Sequence, residues 1–319
     1  MAPSKTSTLS RVSKAANELA DIDARPLAPH ITAPSHERVG MFGCQIDRLR
    51  MKEAVARVYD LVDHHEGQCH YVVTPNVDHV VMLQHHLLLR QSYDNASLVV
   101  ADGMPVVLAS RLLARGLPER ISGTDLVAEV FAAAESRGGV RVYLLGAMPG
   151  VALLAAQRIT TRWPAVEIVG TDSPPLGFER DARQTTLILE RIAASHPDIL
   201  VIGLGAPKQE LWVHRHRHAI EARVALCVGA AIDFLAGNKR RAPVWMQKWG
   251  LEWLHRVASE PRRLVGRYLR DAWRFPPIVW REWNKNRHVA SVSTIAKADS
   301  EQSRGKSAES KHPELQRES

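Results

Sequence analysis

Between residues 38 and 238 the chain alternates two patterns. Short apolar runs are separated by longer stretches in which apolar residues recur every three or four positions. The short runs, at Val39–Ile46, Cys69–Thr74, Ser97–Ala101, Val140–Gly146, Val166–Gly170, Ile199–Gly205 and Ala225–Gly229, predict β-strands. Helical spacing fills the gaps, as in Leu126–Arg137, Val151–Trp163 and Thr185–Ser195. Runs such as VRVYLLG at 140–146 and ILVIGLG at 199–205 are nearly continuous in apolar residues, which is how strands covered on both faces read. The alternation predicts an α/β class: a Rossmann-like, mostly parallel sheet flanked by helices.

The ends of the chain differ from this middle. Residues 1–37 and 289–319 are polar and poor in large apolar side chains, which predicts disordered tails. From Lys239 to His288 thirteen Lys and Arg face four Asp and Glu, and six of the eight tryptophans fall there. This predicts a separate helical appendage over 239–288, outside the α/β domain at 38–238. Trp245, Trp249 and Trp253 are four apart and are expected along one helix face. Arg256, Arg262, Arg263, Arg267, Arg270 and Arg274 follow them. Tryptophan beside cationic residues suits the headgroup layer of an anionic membrane surface. The plainer alternative packs the tryptophans on the core and leaves the arginines in water.

Bulk composition is that of a globular protein, with 45% hydrophobic and 24% charged residues. The formal charge of +8 points to a polyanionic partner: nucleic acid, anionic lipid or a phosphorylated substrate. No apolar run approaches the roughly 20 residues of a bilayer span, and the first residues lack the apolar core of a signal peptide. Cys44, Cys69 and Cys227 form no CxxC pair and read as buried thiols of a reducing compartment. The expected location is the cytoplasm, with peripheral attachment at the inner face of the cell membrane.

In open parallel sheets ligands bind beyond the carboxyl ends of the strands. Four predicted strand ends supply polar groups: Thr74-Pro-Asn76, Asp102-Gly103, Gly205-Ala-Pro-Lys208-Gln209-Glu210 and Gly229-Ala-Ala-Ile-Asp233. Asp102 in such a cleft can serve as a general base; equally, it can cap the helix expected from Met104. Lys208 is expected to open a helix whose free N–H groups favour anions. Its ordinary alternative is a solvated charge cluster. Arg120, ahead of Ser122-Gly-Thr-Asp125, suits a phosphate or is a surface arginine beside a cap. The turn Gly146-Ala-Met-Pro-Gly150 falls short of a dinucleotide fingerprint. Of His214, His216 and His218, only the first and last would share a helix face, without a third ligand, so no metal site is predicted. Asp21-Ile-Asp23 lies in the polar head, so a metal-clamped diphosphate lacks its usual ligands. No cofactor is expected.

Taken together, Thr74-Pro-Asn76, Ala101-Asp-Gly103, Glu119-Arg-Ile-Ser-Gly123, Val142-Tyr-Leu-Leu-Gly146, Gly203-Leu-Gly-Ala-Pro-Lys-Gln-Glu210, Asp233-Phe-Leu-Ala-Gly237, Arg240-Arg-Ala-Pro243 and Gly250-Leu-Glu-Trp-Leu-His-Arg256 resemble the WecG/TagA/CpsF glycosyltransferases, in the family's order and across about 39–268. The resemblance implies inverting transfer of a hexose or N-acetylhexosamine-type sugar, without a required metal, from a UDP-sugar to a polyprenyl-diphosphate-linked saccharide. Cell-surface or exopolysaccharide synthesis is the implied setting. It casts Asp102 as base, Thr74 and Asn76 as holders of donor sugar or acceptor, Gln209 as the motif glutamine, and Arg120 as partner of the leaving diphosphate. Asp233 is placed near the nucleotide. Gly103, Ser122, Gly146, Lys208, Arg256 and Arg263 complete the expected substrate contacts. Two departures bear on donor identity. Ala230-Ala231 stand where members often carry Gly-Gly, and the segment after Gly170 is less glycine-rich than usual.

Two rival readings make different demands. A nucleic-acid-binding protein uses the positive charge and the Trp/Arg segment but leaves the strand-end motifs without a role, so nucleic acid is not expected as a partner. An NAD-dependent enzyme needs GxGxxG after its first strand, and none follows Val39–Asp47. The sequence leaves oligomeric state open, a homo-oligomer included.

Overall fold

The computed structural model describes residues 36–309 except positions 66, 240, 244, 247, 248 and 250; the side chains of 263, 286 and 288–309 are likewise outside the described set. The strands are β1 (Arg38–Met41), β2 (Cys44–Asp47), β3 (His70–Val73), β4 (Leu98–Val99), β5 (Val140–Gly146), β6 (Val166–Asp172), β7 (Ile199–Gly203) and β8 (Val224–Cys227). The helices used below are α1 (Met51–Asp63), α2 (Val77–Leu83), α3 (Leu87–Asp94), α4 (Met104–Leu112), α5 (Gly123–Ala133), α6 (Val151–Arg162), α7 (Ala182–Ser195), α8 (Lys208–His216), α9 (Ala231–Leu235), α10 (Glu252–Ser259) and α11 (Pro261–Glu309).

Six parallel strands form one sheet in the order β4-β3-β8-β7-β5-β6. Side chains alternate across it, as strand geometry requires. Tyr71, Val73, Leu200, Ile202, Ala225 and Cys227 face one core, packed with α2, α3, α4, α7 and α8. Val72, Ile199, Val201, Val224 and Leu226 face the other, packed with α1, α5, α6 and α9. Helices on both faces explain the unbroken apolar runs. The fold is the expected α/β Rossmann-like one.

The run read as a single strand at 39–46 is instead a hairpin. β1 and β2 pair antiparallel in a sheet of their own. Phe42 (φ 59°) and Gly43 (φ 86°) make the reversal, the backbone region that tight hairpins need. Val99 N donates to the Asp47 carboxylate at 2.6 Å and Arg38 Nε donates to it at 2.6 Å, tying the hairpin to β4.

Neighbouring strands send their chains to opposite faces: β3 leads into α2 on one side, and β8 into α9 on the other. Such a switch opens a crevice at the carboxyl edge. Gly146 allows the closest backbone approach there. Its φ is +119°, and a Cβ would lie 2.6 Å from the carbonyl carbon and oxygen of Gly203. Gly146→Ala is therefore expected to cost about 2–5 kcal/mol, combining strain and overpacking. A urea midpoint equal to wild type would show that the strands are not so close.

α10 and α11 belong to the same compact unit as the sheet. Leu264 and Ile278 are buried, and Phe275, Val279 and Trp283 pack on the first core. Arg267 and Arg270 reach Asp78 on α2 at 3.5 and 3.4 Å. α11 continues as helix through position 289 to Glu309, so the boundary read at 288 has no break in secondary structure. The reading of a disordered head concerns residues that, up to 35, lie outside the described ones. The three tryptophans Trp245, Trp249 and Trp253 are not on one helix: Trp249 N donates to Trp245 O at 3.0 Å, one turn apart, whereas Trp253 lies on α10, which starts at Glu252 after its cap Leu251. Trp245, Trp249, Trp273 and Trp280 are exposed.

Candidate active site

Three loops bring the predicted groups together. Asp102 N donates to Pro75 O at 2.8 Å, and Ile121 N donates to Ala101 O at 2.9 Å. Asp102 therefore lies between the loop carrying Asn76 and the loop carrying Arg120. It does not cap α4. Gly103 occupies that position, and no side chain makes a cap bond there; its φ is +124°, and a Cβ there would lie 3.7 Å from Asn76 Cβ. Burial pushes the Asp102 carboxyl up to about 6, with Arg120 opposing and Glu252 reinforcing the rise. Thr74 is buried and donates through Oγ1 to Cys227 O at 3.3 Å, joining β3 to β8 at the crevice floor. Asn76 caps α2, its Oδ1 accepting from His79 N at 3.3 Å.

Arg120 is already engaged. Its guanidinium donates to Glu252 of α10 at 2.9 Å and contacts Asp125 at 3.5 Å. Burial works against its charge, but Glu252, Asp102 and Asp125 together more than offset this, raising its pKa. Ser122 caps α5, accepting from Asp125 N at 3.2 Å, and donates to the Asp125 carboxylate at 2.6 Å. Arg241 donates to the same carboxylate at 2.6 Å. Against the opposing burial, Arg241 and Ser122 hold Asp125 below the usual carboxylate range. Arg256, one turn beyond Glu252, stacks over Phe234 of α9 at 5.6 Å and adds to the positive potential at Asp102. Arg241, Glu252 and Arg256 thus line this crevice. Nothing in the sequence marks Glu252 for this role, because a carboxylate beside an expected phosphate site gives no local signal.

Gln209 lies deeper than a substrate contact requires. It is buried, its Nε2 donates to Glu210 at 2.8 Å and its Oε1 accepts from Gly229 N at 3.1 Å. One amide hydrogen remains for a ligand. Glu210 is fully buried and faces His79 Nε2 at 3.4 Å. Burial depresses the His79 imidazolium, but Glu210, with Asp78 and Asp102 adding to it, raises its pKa above the ordinary value. Lys208 opens α8 as expected and pairs with Glu179 at 3.2 Å. Gly146 ends β5, and Asp233 sits in the first turn of α9, taking Asn238 Nδ2 at 3.3 Å. Arg263 is on α11, with its side chain outside the described set. His218 lies beyond the end of α8, while His214 Nδ1 meets Tyr71 Oη at 3.0 Å. The three cysteines are buried free thiols, and burial pushes Cys44 up to about 12.

A doubly wound α/β sheet with a half-buried carboxylate and arginines at its carboxyl-edge switch point defines a Rossmann-like ligand-binding protein. The chain belongs to the glycosyl transferase WecG/TagA/CpsF family, whose profile matches residues 39–289. It is 33% identical over 169 residues to the N-acetylglucosaminyldiphosphoundecaprenol N-acetyl-beta-D-mannosaminyltransferase of Bacillus spizizenii, covering 53% of this chain and 63% of that relative. It is 30% identical over 227 residues to the enzyme of the same name from Staphylococcus aureus, covering 71% and 87%.

Proposed function

We propose that this protein is an inverting glycosyltransferase. It moves a hexose or N-acetylhexosamine-type sugar from a UDP-sugar to a polyprenyl-diphosphate-linked saccharide in cell-surface or exopolysaccharide synthesis. The observation that carries the reading is Asp102, a carboxyl near 6 at the switch-point crevice beside Arg120. The relatives' names, which specify a lipid-diphosphate acceptor, support the acceptor class. Asp102 takes the proton of the acceptor hydroxyl as its oxygen attacks the anomeric carbon. The bond to UDP breaks on the opposite face, and the charge left on the diphosphate is met by Arg120, Arg256 and helix N-terminal amides. Thr74 and Asn76 hold the sugars from the crevice floor, and Gln209 supports the turn after β8 beneath them.

Among the described residues no helix is long and apolar enough to cross a membrane. Attachment at the inner membrane face through the exposed tryptophans and arginines of α10 and α11 suits an acceptor held by lipid. The deciding measurement is UDP release across a panel of UDP-sugars with a short-chain lipid-diphosphate acceptor, before and after exhaustive EDTA treatment. One donor should release UDP in an acceptor-dependent way, equally in both conditions. No acceptor-dependent release from any donor sinks the transferase reading, and loss of activity that Mg²⁺ restores sinks its metal-free form.

A further inference from the structure

We propose that Glu210 and His79 form a buried positioning pair that holds the polar groups of the crevice in place around Asp102, an inference resting on the transferase reading of that crevice. Glu210 has no exposure to solvent, and its Oε1 is the meeting point of two arms. One arm runs through Gln209, whose Nε2 donates to Glu210 at 2.8 Å and whose Oε1 accepts from Gly229 N at 3.1 Å. It fixes the turn after β8. The other arm runs through His79. Nε2 faces Glu210 Oε1 at 3.4 Å, and Nδ1 accepts from Asn76 N at 3.3 Å. It fixes the loop after β3, whose Pro75 carbonyl receives Asp102 N. One carboxylate on α8 therefore sets groups at the ends of β3 and β8 and, through Pro75, the backbone of Asp102.

The ring's proton placement follows from these contacts. Nδ1 accepts only when it carries no proton, so the proton belongs on Nε2, toward the carboxylate. A carboxylate on one ring nitrogen selects the tautomer in this way. Stability alone is a poor reason to keep the pair. Burying the Glu210 carboxylate costs several kcal/mol before any contact repays it, and the neutral ring that accepts from Asn76 N repays less than a cation would. Glu210 Oε2 has no hydrogen-bond partner, and His79 Nε2 meets Oε1 at 3.4 Å as a close polar contact short of an aligned hydrogen bond. Orientation of crevice groups gives the arrangement a purpose that packing does not. Removing the charge with the shape retained, as in Glu210→Gln, frees the ring to place its proton on either nitrogen, and the molecules with Nδ1–H lose the Asn76 bond.

The test combines kinetics with the tautomer. In the full chain at alkaline pH, where the ring is neutral, the ¹⁵N shifts of His79 should show Nδ1 bare and Nε2 protonated, and Glu210→Gln should mix the two tautomers. Glu210→Gln should lower kcat by about 10–100-fold, the usual range for a group supporting a site from behind, with KM for the donor sugar nearly unchanged. His79→Gln should keep most activity, because glutamine three residues into a helix still accepts from the cap N–H and can donate to Glu210. His79→Leu should lose kcat as Glu210→Gln does. A merely structural role predicts lower melting temperatures with normal kcat per folded molecule. That result, or a wild-type ring protonated on Nδ1, overturns the proposal. If Glu210→Gln does not fold, the two His79 variants decide. A wild type inactive with every donor defeats the transferase reading instead, while the tautomer still decides whether the pair exists.

Discussion

Asp102→Asn is expected to lower kcat by about two to four orders of magnitude, the usual worth of a general base, while the chain remains folded. Asparagine keeps the size of the side chain and leaves the Asp102 N to Pro75 O bond untouched. Two pH effects accompany the loss. The base works ionised, so wild-type kcat/KM should fall as pH drops through about 6, the raised value that burial gives Asp102. Stability should move the other way. A carboxyl raised from 3.8 to about 6 on folding is favoured in its protonated form by the folded state. Its contribution is full below the unfolded pKa and is lost as pH rises through the folded one. At neutral pH the ionised group is a burden, and Asp102→Asn should be the more stable chain by on the order of 2 kcal/mol after allowing for partial solvation. That gap should close in acid. Thermal melts at neutral and acid pH, with turnover at saturating donor, check all three. Wild-type turnover in Asp102→Asn ends the assignment of the base.

Arg120→Ala is expected to lower kcat by about 10²–10³-fold, the effect of removing one fixed donor from a developing negative charge. Arg120 reaches that position in company with two carboxylates, Glu252 at 2.9 Å and Asp125 at 3.5 Å. Asp125 keeps Arg241 at 2.6 Å when Arg120 is gone, whereas Glu252 loses its ion pair beside Asp102. Arg120 is also the chief cation holding the Asp102 pKa down. Its removal should therefore carry the acid limb of the pH profile to higher pH, a signature that simple loss of binding does not give. Arg120→Lys should fall between alanine and wild type, because a point charge cannot hold a carboxylate and a phosphate in the planar geometry of a guanidinium. Equal kcat and an unmoved acid limb in Arg120→Ala would place the diphosphate elsewhere.

The strand at Val140–Gly146 and the start of α8 at Lys208 were legible in the sequence. Each depends on residues within a few positions of one another: apolar continuity, and a turn before a helix. The same local signals misled where two structures share them. An apolar run at 39–46 fits one strand or a tight hairpin, and only Phe42 and Gly43 turning left-handed separate the two. Asp102 before a helix fits a cap or a base; Gly103 taking the cap left the carboxylate to the crevice.

What the sequence determined by itself is therefore the layered α/β fold and the set of strand-end motifs, because hydrophobic periodicity and backbone sterics act locally. Only the tertiary structure decided the neighbours. The order β4-β3-β8-β7-β5-β6 places the first and last main-sheet strands past β4 side by side at β3 and β8, so Thr74 meets Cys227 O and Glu210 meets His79. The partner of Arg120 is Glu252, 132 residues away. Such pairings follow from how whole layers pack. The few kcal/mol that separate one charged partner from another are set by burial and distance in the folded chain, and neither is written in the spacing of residues along it.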